Sequence, residues 1–177
     1  MIKLYPHPTT ACPAVDTLQV TVSQQAGDLH LHYVLQGDLQ ALLIPSPQPA
    51  AAVDGLWQHT CLEAFIGVQG DSTYHEFNFS PSSQWAAYAF SAYRERLDWQ
   101  ASQAPRIRIG QTVNSLSLDV VVAVADLPAN PLGLPWQLGL TAVVEAVDGS
   151  KSYWALHHPA DRPDFHHRHG FTHELWP

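Results

Sequence analysis

Hydrophobic side chains recur at every second position over most of this chain, the period of strands with one buried face, and rarely at the three-to-four spacing of a helix. LQVTVSQ (18–24) alternates, Gly27-Asp28 predicts a turn, and LHLHYVLQ (29–36) alternates again, which makes a hairpin. After Gly37-Asp38 the apolar run LQALLI (39–44) stops at Pro45. The segment PSPQPAAAVDG (45–55) holds too much proline for a central strand or a helix and predicts a surface loop. CLEAFIGV (61–68), a turn at Gly70-Asp71 and YHEFNFSP (74–81) form an aromatic hairpin. In QWAAYAFSAYRE (84–95) the alanines favour a helix, whereas Trp85, Tyr88, Phe90 and Tyr93 and the position after a hairpin favour a bent strand.

The second half continues in the same style. RIRIGQTV (106–113) and LSLDVVVAV (116–124) flank a tight turn at Asn114-Ser115, and ADLPANPLGLP (125–135) is a proline-rich connection. WQLGLTAVVEAV (136–147), the favoured hairpin pair Asp148-Gly149 and SYWALHH (152–158) follow, before an irregular polar and aromatic tail, 161–177. Eight to ten short strands and no amphipathic helix predict an all-β chain, an antiparallel β-sandwich or barrel, in one domain spanning 1–177.

Alternation also assigns faces. Leu62, Ala64, Ile66 and Val68 oppose Cys61, Glu63 and Phe65; His75, Phe77 and Phe79 oppose Tyr74, Glu76, Asn78 and Ser80. In the later strands Leu118, Val120, Leu138 and Leu140 fall on apolar faces and are expected in the core, while Asp119 and Glu145 lie opposite them. The faces bearing Glu63, Glu76, Asp119 and Glu145 admit three readings. They are the solvated side of a sheet, or a concave binding face on which carboxylates and amides meet sugar hydroxyls while rings stack on C–H faces, or a pair of glycosidase acids. No hydrolase motif surrounds the acids, so binding without catalysis is the better expectation than enzyme activity.

Charge narrows the partners. Eight basic against sixteen acidic residues give a net charge of −8, with only Lys3 and Lys151 as lysines, which argues against nucleic acid and anionic membranes. MIKLYPHPTTACP has no continuous apolar stretch of the kind that directs export, and no run reaches the length of a membrane-spanning helix. A cytoplasmic chain with reduced thiols at Cys12 and Cys61 is therefore expected, Cys61 as a small core residue. Of eleven histidines, six lie between His157 and His173. His167 and His169 could share a metal if they sat on a strand, but no metal-binding spacing accompanies them, and histidines held by backbone or water are the commoner outcome.

The segments 54–68, 74–95 and 153–171 resemble the DOMON-like, type 9 carbohydrate-binding-module superfamily. The residues that carry this are Leu62-Glu63-Ala64-Phe65 with Trp57 shortly before it, then Glu76-Phe77-Asn78-Phe79-Ser80-Pro81, and late in the chain Trp154 and Pro163-Asp164-Phe165-His166. The resemblance implies a jelly-roll-like sandwich with one ligand pocket and, by position, Trp57 and Trp154 as a clamp on a sugar beside Glu63, Glu76 and Asn78. A small carbohydrate or sugar-containing metabolite is the implied partner. Haem is the alternative, although the axial methionine usual in haem-binding relatives is absent, Met1 being the one methionine. Calcium on surface acids is a further cofactor that the resemblance allows, and a protein-interaction module with no small-molecule ligand is the remaining alternative.

Overall fold

A computed structural model describes all residues from Met1 to Pro177. The strands are β1 (Ile2–Pro6), β2 (Val15–Gln25), β3 (Asp28–Gly37), β4 (Cys61–Val68), β5 (Tyr74–Phe79), β6 (Trp85–Ala92), β7 (Glu95–Arg96), β8 (Arg106–Gln111), β9 (Ser115–Val122), β10 (Trp136–Glu145), β11 (Lys151–Ala155) and β12 (His173–Leu175). The chain is all-β and its ladders are antiparallel; the only helical pieces are single 3-10 turns.

The strands run in the order β7-β6-β5-β4-β10-β11-β1-β2-β3-β9-β8. The path folds over on itself at β1, whose Ile2, Lys3 and Leu4 pair with β2 while Tyr5 and Pro6 pair with β11. Two layers result, β1-β2-β3-β9-β8 and β7-β6-β5-β4-β10-β11. Their facing sides share one core of 27 buried residues, among them Leu31, Leu118, Val120, Phe77, Leu138 and Leu140. All four residues expected in the core by alternation are at most 1% exposed.

Local chemistry explains most boundaries, and a few differ from the sequence reading. The first hairpin turns on Ala26-Gly27, both at positive φ (51° and 87°), with Asp28 already in the ladder opposite Gln25. The two-residue loop with both residues left-handed matches the twist of the strands it joins. Residues Leu39–Ala41 form a 3-10 turn capped by the Asp38 carboxylate, which accepts from the Gln40 amide. Segment 84–95 is strand, bent back at Arg94 (φ 57°) from β6 into β7. The tail ends in β12, which pairs with the first half of β10. Cys61 is buried, Cys12 half-buried, and both thiols are free.

The outer faces of the two layers differ in kind. On the first, His32 and Asp119 form a solvent-exposed pair at 2.6 Å, as a solvated sheet face predicts. On the second lies another apolar cluster: Phe65, Tyr74, Ala86, Tyr88, Phe90 and Phe171. The C-terminal segment covers part of that face because two glycines leave room for it. A Cβ on Gly67 would overlap the Arg168 guanidinium, and one on Gly139 would lie 2.7 Å from the Phe171 ring. Arg168 is seated there by hydrogen bonds to the carbonyls of Val68 (3.1 Å) and Asp71 (3.2 Å) and to Gln137 Oε1 (3.3 Å), with its guanidinium 4.7 Å from the centre of the Phe171 ring.

Candidate ligand-binding site

A cavity of about 750 Å³ opens on the outer face of the second layer, within the range of small-molecule sites. The strand ladder builds its floor. Glu63 stands opposite Thr141 on one side and Asn78 on the other, and the next row carries Phe65, Glu76 and Tyr88 across three strands. Phe90, Val143 and Tyr153 extend the floor along β6, β10 and β11.

Two irregular segments raise the walls. The proline-rich loop runs beside β6, its Val53 amide donating to the Trp85 carbonyl (2.9 Å) and the Trp85 amide to the Ala51 carbonyl (3.0 Å). Gly55 then turns at φ 81° into a 3-10 turn, Leu56–Gln58, that carries Trp57 to the rim with 52% of its surface exposed. Asp54 is tied to the floor by the Tyr88 hydroxyl, which donates to it at 2.7 Å. Opposite, the tail supplies Phe165 and His166. Asp164 anchors it by accepting from the Tyr93 hydroxyl (2.7 Å) and from Arg94 (3.0 Å). Burial alone would raise the Asp164 carboxyl, but these two donors hold it below its usual value.

The floor is unusual in its electrostatics. Glu63 and Glu76 are 2% and 5% exposed, so the solvated-face reading fails for both. Thr141 donates to Glu63 Oε2 at 3.3 Å and Asn78 to Glu76 Oε1 at 2.9 Å. Neither acid forms an ion pair with an arginine or lysine. Burial, reinforced by the neighbouring Glu76, pushes the Glu63 carboxyl well above its ordinary range, and burial raises Glu76 to about 7 despite the Asn78 hydrogen bond and the charges of Arg94 and Arg96. Glu63 Oε1 and Asn78 Oδ1 are buried without a hydrogen-bond partner. Native proteins leave few such atoms, and those at a cavity call for an explanation.

His166 faces the same chamber. The Tyr74 hydroxyl accepts the Arg94 amide (3.1 Å), and its own hydrogen is then free for His166 Nδ1 at 2.8 Å. His166 Nε2 lies 3.6 Å from Glu76 Oε2. Burial and the charge of Arg94 lower the imidazole to about 4, so the ring is neutral at neutral pH.

Of the five residues predicted for the site, Trp57, Glu63 and Glu76 line the cavity. Asn78 is fully buried behind the lining and acts through Glu76. Trp154 is not there. It is 3% exposed, belongs to the core between the layers, and donates from Nε1 to Ser152 Oγ at 2.9 Å. Adjacent strand residues point to opposite faces, so Tyr153, one position earlier, reaches the cavity instead. The sequence reading also missed Arg94, Arg96, Phe165 and His166. Tyr88 and Phe90 had a usable signal, since they share the strand face that meets Tyr74 and Glu76.

His166 is the one histidine lining the cavity. No group of three or more His, Cys, Asp or Glu side chains gathers at a point that could hold a metal ion. His167 and His169 are taken up locally, the ring of His167 accepting the amide of His169 at 3.3 Å.

No family model matches the chain, and no curated protein matches it in sequence. Among solved structures it is similar to that of a "putative carbohydrate-binding protein" from Bacteroides uniformis ATCC 8492. The TM-score is 0.59 over 97% of this chain and 84% of the other, at 15% sequence identity. The likeness is one of fold.

Proposed function

We propose that this protein binds a small carbohydrate or sugar-containing metabolite in the cavity on the second layer, without catalysing a reaction on it. The single observation that carries the reading is the buried, unpartnered Oε1 of Glu63 at the floor of an aromatic-walled chamber. A sugar presents the hydroxyl donors that this oxygen lacks and the C–H faces that Trp57, Tyr153 and Phe165 can cover. The fold likeness to a protein described as binding carbohydrate supports the same reading. So does the resemblance to DOMON-like and type 9 modules, because its two motif strands, around Leu62–Phe65 and Glu76–Pro81, are the ones that build the floor.

Binding rather than hydrolysis is favoured by the state of the acids. Glycoside cleavage needs one protonated and one fully ionised carboxyl, their pKa values pushed apart by their surroundings. Here burial pushes both the same way, and neither has a cation in contact.

The test is a thermal-shift and calorimetric screen of mono- and disaccharides against the purified chain. A sugar present at 100 times its Kd should stabilise the fold by about 3 kcal/mol. Trp57→Ala should reduce the shift while leaving the free protein's midpoint near its starting value. A panel spanning neutral, acidic and amino sugars that produced no shift would overturn the reading.

A further inference from the structure

We propose that the sugar taken by this cavity carries a protonated amine, and that its ammonium group sits on Glu63 and Glu76. The inference rests on the carbohydrate reading above and adds the ligand's charge.

Both carboxyls lie on the floor, on adjacent strands and the same sheet face, and no arginine or lysine is in contact with either. Of the cations around the chamber, Arg94 is committed to Asp164 at 3.0 Å. Arg96 lies over the Tyr88 ring, 4.1 Å from its centre. His166 approaches Glu76 to 3.6 Å but is held neutral by its burial. Both lysines, Lys3 and Lys151, lie outside the lining. Buried carboxylates normally have a cation or a full set of donors. This pair has one hydroxyl donor on Glu63, one amide donor on Glu76, and an oxygen of Glu63 with nothing.

A neutral hydroxyl would fill that one vacancy and leave nothing to favour the ionised form of two acids that burial raises above their ordinary range. An ammonium does both, because it brings three donors and a positive charge toward which the acids ionise. The walls suit the same group. Phe65, Tyr88 and Phe90 stand next to the acids, and aromatic faces attract a desolvated cation. Acids at the base of an aromatic enclosure thus select an amine, and the sugar ring is left to meet Tyr153 on the floor and Trp57 at the rim.

Calorimetry at pH 7 with three disaccharide probes tests this: the β-1,4 dimer of glucosamine, the same dimer N-acetylated on both nitrogens, and cellobiose. The free amine is expected to bind at least tenfold tighter than either neutral probe. Glu63→Gln and Glu76→Gln should each erase most of that preference, bringing the free amine down toward the neutral probes measured on the same variant. The ranking on the unaltered protein stands even if a variant fails to fold. Equal binding of all three probes would overturn the amine assignment and leave the carbohydrate reading intact. Binding of putrescine, a diamine with no sugar ring, together with none of the three disaccharides would overturn the carbohydrate reading and keep the cation site. No binding of any probe would overturn both.

Discussion

The hydroxyl of Tyr33, on β3 of the first layer, donates across the core to the backbone carbonyl of Glu63 on β4 of the second, at 2.8 Å. Tyr33 is 1% exposed, and the bond meets β4 at the residue whose side chain points the other way into the cavity. The interior of the sandwich is thereby tied to the floor of the site by one polar contact.

Tyr33→Phe should therefore lower stability by about 1–2 kcal/mol, the value of a buried hydrogen bond lost with little change of shape. Urea denaturation measures it, and an unchanged far-ultraviolet spectrum shows that the strands remain. Because the bond also fixes β4 in depth, the variant should bind a sugar ligand more weakly, although Tyr33 is separated from the cavity by the sheet.

The buried acid and the imidazole beside it make opposite contributions to stability as pH changes. Glu76 is raised from 4.5 to about 7, so the folded chain binds more protons than the unfolded one between those values. Its contribution is full below pH 4.5 and is lost as pH rises through 7. His166 is lowered from 6.5 to about 4, so its contribution is full above 6.5 and is lost as pH falls toward 4. Between about pH 4.5 and 6.5 these two slopes oppose each other, while Glu63, raised in the same direction as Glu76, adds to the slope of the acid. Glu76→Gln removes one of them: relative to wild type it should gain about 3 kcal/mol of stability between pH 4.5 and pH 8, at about 1.4 kcal/mol per pKa unit. Paired urea titrations at the two pH values read this directly. A variant whose advantage did not grow with pH would show that Glu76 is ionised in the folded state throughout.

Glycine at position 67 is a seat for the tail. Gly67→Ala should displace Arg168 and cost about 1–3 kcal/mol, the range for losing hydrogen bonds to a charged group. The wall carrying Phe165 and His166 should loosen with it. Hydrogen exchange should then speed up at the amides of 166–171 while those of β2, β3 and β9 keep their protection.

How much of this was readable in the sequence follows from the range of the interactions involved. Period-2 alternation is local, so it separated Phe77 and Phe79 from Tyr74, Glu76 and Asn78, and placed Leu118 and Leu138 in the core, as the structure has them. Alternation does not say what covers the other face. That depends on the tail, more than 90 residues from β5, and on two missing Cβ atoms whose meaning appears only once Arg168 and Phe171 lie over them. The short strands β1 and β12 were missed for a similar reason, since five and three residues carry too little pattern and are strands by virtue of their partners.

The first hairpin offers a separate check on local chemistry. Ala26 holds φ 51°, a left-handed conformation that costs a residue with a Cβ. Asn tolerates it and is favoured before Gly in such turns. Ala26→Asn should stabilise the fold by about 0.5–1 kcal/mol, seen as a higher midpoint in urea with an unchanged slope.

Trp57, Tyr153 and Trp154 separate the site from the core. Trp154, packed between the sheets, should cost about 3–5 kcal/mol when cut to alanine, as large buried aromatics do. Trp57 should cost less stability than Trp154, because about half of its surface stays in water in the folded chain. Tyr153 lies on the cavity side of the same strand as Trp154, so Tyr153→Ala should behave like Trp57→Ala in ligand affinity and unlike Trp154→Ala in stability. Loss of a ring that covers a sugar face should weaken binding by about 1–3 kcal/mol in each of the two site variants. Melting and calorimetry of the three variants together decide it. If Tyr153→Ala lowered the midpoint as far as Trp154→Ala and left affinity untouched, β11 would contribute to the core alone, and the floor of the cavity would end at Val143.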